Sequence, residues 1–183
     1  QQWRERLGLP RDPQWERMRT HLAPLPQKDG RYVALESQPD TWDNQASRHD
    51  HPSFLMALGM LPGDGVDRAV MNRTLDATLA TWDWEAKIWG WDYPMIAMTA
   101  ARLGRPRDAV DILLKDGPNN HYAPNGHDPQ RDDLPVYLPA NGALLAAVAM
   151  MAAGWDGAPD GPAPGFPRDG SWVVHAEGLH RLP

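Results

Sequence analysis

The 183 residues carry 18 Lys+Arg against 24 Asp+Glu, a formal net charge of −6, and 42% of them are hydrophobic. That length and apolar content suit one domain with a real core and exclude bulk disorder. The acidic balance argues against a phosphate-backbone binder, the lack of cysteine removes disulfides and thiolate chemistry, and no run of roughly 18 apolar residues is present to span a membrane.

The chain begins Gln1-Gln2, with no initiator Met and no apolar leader, which reads as a processed product or a piece of a longer chain. Residues 13–23 read as a helix: Asp12 caps it, Pro13 takes the first position, and Trp15, Met18 and Leu22 follow at helical spacing. Residues 24–50 are rich in Pro, Gly and polar residues and read as loop, with Tyr32 to Leu35 a short extended piece. A second helix is expected from Pro52 to about 61, carrying Phe54, Leu55, Leu58 and Met60. A third covers about 65–80, with Val66, Val70, Leu75 and Leu79 inward. A fourth covers about 92–103, with Ile96, Ala97, Ala100 and Leu103 inward and Gly104 as its stop. A fifth starts at Pro106 and carries Ala109, Val110, Leu113 and Leu114, and a long polar loop fills 116–139. A sixth helix covers about 140–153, with Ala143, Leu144, Leu145, Ala147, Val148 and Met151, and ends at Gly154. The Gly/Pro/Asp-rich stretch 154–170 reads as a linker or surface loop, and Trp172 to His175 as a strand in a β tail over 171–183. The fold expected is mainly α, built of antiparallel helical hairpins over 1–153, with a short C-terminal β element.

Polar and aromatic residues concentrate in three stretches, each just before a helix. The first runs Asp40-Thr41-Trp42-Asp43-Asn44 and then Arg48-His49-Asp50-His51-Pro52-Ser53. The second is Trp82-Asp83-Trp84-Glu85 with Trp89-Gly90-Trp91-Asp92-Tyr93-Pro94. The third runs from His121 through His127, Asp128, Gln130 and Arg131 to Tyr137-Leu138-Pro139-Ala140-Asn141-Gly142. In helical hairpins every second loop lies at the same end, so the three are expected to meet at one mouth. Nine Trp against two Phe point to sugar, because an indole face stacks on the C–H face of a pyranose while its N–H bonds a hydroxyl. Helix–helix packing is the alternative use of those Trp.

The order His49-Asp50-His51-Pro52-Ser53, Leu58-Gly59-Met60-Leu61-Pro62-Gly63, Trp89-Gly90-Trp91-Asp92, Ala97 to Gly104 and Leu138-Pro139-Ala140-Asn141-Gly142-Ala143 resembles the C-terminal half of an (α/α)6 six-hairpin glycosidase, nearest to glycoside hydrolase families 95 and 65. The resemblance covers about residues 30–183. It implies part of a toroid, a bacterial carbohydrate-metabolism hydrolase cleaving glycosidic bonds by acid/base catalysis, and an oligosaccharide or polysaccharide as partner. It leans towards a periplasmic or secreted location. No cofactor, metal or nucleic acid is implied. Ala140 stands where the family's general-base Asp would be, and the general acid belongs to a segment N-terminal to these residues. About six of twelve helices are represented, so the rest of the ring is expected from the parent chain or from a second copy.

Among individual residues, Asp92 sits between two aromatic residues that would desolvate it and suit it to proton transfer, although an Asp at a helix start also serves as a cap. Glu36 and Asp83 are the other catalytic candidates, against the plainer reading of solvated loop acids. Trp89 and Trp91, two apart, share a face if extended and form the expected stacking pair. Trp42, His49, His51, His127, Gln130 and Asn141 are the remaining sugar-contact candidates. His49-x-His51 could chelate a metal, but no further ligands are evident, so hydroxyl bonding is the expected role. A lyase or epimerase on the same toroid, with His127, His121 or Tyr93 as base, and a non-catalytic sugar-binding or interaction module are the alternatives.

Overall fold

A computed structural model describes residues 1–48, 50–85 and 88–183. It is mainly helical: α1 (Gln2–Arg6), α2 (Pro13–Thr20), α3 (Arg68–Thr81), α4 (Asp92–Arg102), α5 (Pro106–Leu113) and α6 (Leu138–Ala153). Short 3-10 helices occupy Gln45–Arg48 and Ser53–Ala57. Strands β1 (Gln27–Lys28) and β2 (Arg31–Tyr32) pair antiparallel, the described chain's one sheet.

The starts follow from local chemistry. The Asp12 side chain accepts the Gln14 and Trp15 N–H groups at 2.9 and 3.1 Å, and Asp67 accepts those of Ala69 and Val70 at 2.8 and 3.0 Å, which covers donors no helical carbonyl can reach. Proline opens α2 and α5, where its missing N–H costs nothing.

Helix α4 is the hub. Every one of its residues is buried, and it packs against α5, α6 and the Ser53–Ala57 turn. Leu55, Met71, Leu75, Ile88, Met95, Ile96 and Met151 are fully buried around it. Thr99 Oγ1 bonds the Leu55 carbonyl at 3.0 Å, and the Arg102 Nε–H bonds the Gly59 carbonyl at 3.1 Å, tying the hub to the 53–59 segment. On α3, Thr74 Oγ1 accepts the Tyr32 backbone N–H at 2.9 Å and so pins β2 to the helix.

Several expectations are corrected. The 52–61 helix is only the short 3-10 helix Ser53–Ala57: Gly59, a poor helix former, interrupts the stretch before Pro62-Gly63 ends it. The strand at Trp172 to His175 does not form: residues 171–183 have no ladder partner, and the parallel bridge Trp155↔Leu182 is isolated. The two strands lie instead at 27–32, turned by Asp29 and Gly30, both at positive φ (52° and 72°) as a two-residue hairpin requires. The 154–170 stretch has no regular element but is no free linker: Trp155 and Phe166 join the core, and the Gly165 N–H bonds the Met151 carbonyl at 2.9 Å. Helix α2 forms, yet none of its residues is buried, and Trp15, Met18 and Leu22 face water. Among the apolar residues of the fifth and sixth helices, Leu114, Leu145 and Val148 are exposed.

Candidate functional site

The site grows from how the chain fixes His51. The Trp82 indole N–H donates to the Asp50 carbonyl at 2.8 Å, and the Ser53 N–H to the His51 carbonyl at 2.7 Å. These bonds hold the residue at the end of its loop, beside the first turn of α4. There Asp92, with no exposed surface, lies 2.9 and 3.1 Å from His51 Nδ1 through its two oxygens, and its Oδ2 also accepts the Trp89 backbone N–H at 2.9 Å. The His51 side chain is 28% exposed, so the imidazole stands between a buried carboxyl and solvent.

The Trp91 indole N–H points at the same Nδ1 from 2.8 Å. One nitrogen cannot donate to Asp92 and accept from Trp91 at once. The Asp92 pair and the Trp91 bond are therefore alternatives, selected by one proton. The hydrogen bond to Asp92 raises the His51 pKa above its ordinary value, with burial opposing. Burial pushes the Asp92 carboxyl up, against the pull of His51 and the Trp89 N–H. The protonated imidazole, Nδ1–H held by Asp92 and Nε2 turned outward, is the form these contacts favour.

Aromatic rings frame this imidazole. The Trp91 and Trp89 ring centres lie 5.0 and 5.5 Å from it, Tyr137 lies 5.4 Å beyond Trp89, and the Arg131 guanidinium covers Trp89 at 5.6 Å. Gln130 Oε1 accepts the Gly90 N–H at 2.9 Å, and Asn119 Nδ2 donates to the Ile88 carbonyl at 2.6 Å. The long loop thus grips residues 88–91 from behind.

His51, Trp89, Trp91, Asp92 and Gln130 are therefore brought together, one or more from each polar stretch. The others are not. The Trp42 ring packs on Phe54 and Trp82 at 5.6 and 6.2 Å, and its N–H bonds the Tyr32 carbonyl at 2.9 Å, so it serves the core instead of a stacking wall. Glu36 is exposed on the turn closed by the Leu35↔Gln38 bridge. Asp83 is half-buried on the turn after α3, and its carbonyl accepts the Ile88 N–H at 3.1 Å. His127 is exposed and bonded within its own loop to Asn125. Asn141 Nδ2 donates to the Gly126 carbonyl at 2.7 Å, fastening α6 to that loop. His49 lies outside the described residues.

Tyr137, Arg131 and Asp128 were missed as individual residues, although all three belong to the third polar stretch. Their signal was position in a long loop next to a helix start. Among the described residues, no group of three or more His, Asp or Glu could hold a metal ion, and no helix is long and apolar enough to cross a membrane. A hollow of about 900 Å³ between α1, α2 and residues 60–64 shares no residue with the His51 cluster.

The His51–Asp92 contact sets a pH dependence. A raised folded-state pKa means that the pair stabilises fully below the unfolded histidine value of about 6.5 and that this contribution is lost as pH rises through the folded value. Thermal unfolding of the wild type and of His51→Gln, compared across that range, should show the wild-type advantage shrinking towards alkaline pH; a constant gap would contradict the pairing. No family model, curated protein or solved structure matches the chain.

Proposed function

We propose that the His51 face is a sugar subsite of a carbohydrate-active protein, part of a glycoside hydrolase pocket on an (α/α)6 toroid whose remaining helices come from a longer chain or a second copy. One observation carries the reading: a half-exposed imidazole, backed by a fully buried carboxyl, stands among Trp89, Trp91 and Tyr137. Indoles and a phenol offer flat apolar faces with polar edges, the pairing a pyranose needs. Asp92 orients Nδ1–H, and Nε2, 3.5 Å from the exposed Asp50 carboxylate, is the nitrogen left to move a proton. In hydrolysis, the imidazolium would protonate the leaving glycosidic oxygen as the C–O bond breaks. A water, losing its proton to a second base, would supply the new C–O bond. Asp92, without exposed surface, acts through His51 and is a positioning residue in this scheme. The facing wall of the ring would bring the second carboxyl that glycoside hydrolysis employs.

A second reading, a lyase or epimerase, is favoured by the identity of the presented group. An imidazole suits abstraction of a proton next to a carbonyl better than it suits displacement at an anomeric carbon. The test is a panel of neutral and uronate-containing oligosaccharides, scored for binding, for new reducing ends and for ultraviolet-absorbing unsaturated products. Binding that weakens about tenfold in Trp91→Ala, in line with one aromatic contact, is the expected result. Reducing ends favour the hydrolase, unsaturated ends the lyase. Binding without either product, unaltered in Asp92→Asn, marks a non-catalytic module. No binding across the panel removes the sugar reading altogether.

A further inference from the structure

Among the described residues, five buried side-chain polar atoms have no hydrogen-bond partner, and four of them lie in or against the 117–141 stretch: Tyr93 Oη, Tyr122 Oη, Asp128 Oδ2 and Asn141 Oδ1. A buried polar atom left without a partner is costly and asks for a reason. Asp128 is the one carboxyl among them. It is fully buried, its Oδ1 accepts the His121 backbone N–H at 3.2 Å, and its Oδ2 accepts nothing. A Cβ placed on Gly90 would stand 2.3 Å from Oδ2, 2.9 Å from Ala140 Cβ and 2.9 Å from the Asn119 carbonyl. The Gly90 backbone thus lies directly over the carboxyl.

The titratable groups facing Asp128 are few. His121 and Tyr122 come from its own loop and Tyr93 from α4. Gly90 of residues 88–91 and Ala140 of the first turn of α6, neither of them titratable, stand against it. No Lys or Arg faces it among the described residues. A neutral carboxylic acid is tolerated at such a place and a carboxylate is not. Burial accordingly pushes its pKa up, with the His121 N–H and ring pulling the other way.

We propose that Asp128 is a positioning residue for the Trp89–Trp91 pair: as the neutral acid it lets residues 88–91 seat on the long loop, and its ionisation unseats them. An ionised Oδ2 needs water, and water reaches it only if Gly90 lifts. Lifting Gly90 breaks its N–H bond to Gln130 and separates Trp89 from Tyr137. It also withdraws the Trp89 N–H from Asp92, so the proton-handling pair loosens with the aromatic wall. The seating is a property of the chain alone; only its consequence for ligand binding rests on the sugar-subsite reading.

Hydrogen exchange of the 88–92 peptide, corrected for the intrinsic pH dependence of exchange, tests it in the wild type, Asp128→Asn, Asp128→Ser and His51→Gln. Protection in the wild type should fall as pH rises above the ordinary Asp value of about 3.9, by up to about tenfold per unit, and level off once the raised value of the buried carboxyl is passed. It should stay flat in Asp128→Asn and Asp128→Ser, and His51→Gln should keep the fall, since a different group drives it. Three results would overturn the proposal: flat protection in the wild type, a neutral variant that falls in step with it, or neutral variants that both fail to fold. If exchange behaves as expected while no oligosaccharide binds, the sugar reading alone is lost.

Discussion

On the proposed sugar-processing role of the His51 face, Asp92→Asn should lower turnover by about 10²–10⁴-fold, the range a positioned proton-transfer group supplies, while the helices remain. The substituted amide oxygen can still accept the Trp89 N–H, so the start of α4 keeps its tie. The amide nitrogen, however, donates where a carboxylate accepted. It takes the Nδ1 lone pair of His51, forces the proton to Nε2 and favours the neutral imidazole, with only the exposed Asp50 carboxylate, 3.5 Å from Nε2, left to balance a positive charge. The rate on whichever oligosaccharide is processed, measured against pH, checks this. The loss should be in kcat more than in KM, and the alkaline limb that reports His51 should move to lower pH. An unchanged profile would reduce Asp92 to a helix-start residue.

Gly90→Ala should be the most damaging single methyl near the site. The added Cβ would meet the Asp128 carboxyl oxygen at 2.3 Å, the Ala140 Cβ at 2.9 Å and the Asn119 carbonyl at 2.9 Å, and two of these three are too rigidly held to yield. Overpacking of this kind costs about 1–3 kcal/mol. The strain falls on the segment that carries Trp89 and Trp91, so the near-ultraviolet circular dichroism of the indoles should weaken and oligosaccharide binding should be lost along with a lowered Tm. A variant with wild-type Tm and wild-type indole signal would show that the close approach at Gly90 is dispensable.

Much of the helical framework was legible because it is written in local chemistry. Asp12-Pro13, Pro106 and the apolar spacing of α3 to α6 announce helices regardless of what packs on them. The failures have physical causes as well. Pattern cannot say whether an apolar face finds a partner: Trp15, Met18 and Leu22 follow at helical spacing, yet no residue of α2 is buried. Trp172 to His175 has strand propensity, but a strand exists only as one of a pair, and pairing is decided by distant chain. The hairpin at 27–32 was signalled by Asp29-Gly30, a strong turn pair hidden in a loop-like context. The meeting of His51, Trp89, Trp91 and Gln130 was expected from loops alternating along helical hairpins, although the element after the first of those loops is only a short 3-10 helix. Trp42 misled because an indole in a polar loop can equally turn back into the core. Asp128 escaped notice because an Asp beside Gly, Pro and His looks like surface, and only the closure of the loop over it makes it interior.

The shared nitrogen of His51 has a consequence for any ligand of this face. An acceptor group that captures the Trp91 indole N–H removes the competitor for Nδ1 and leaves Asp92 as its sole neighbour. Occupancy then draws a proton from solution onto the imidazole. Association heat would vary with the ionisation enthalpy of the buffer, and affinity would decline in alkaline solution even for a ligand that carries no charge.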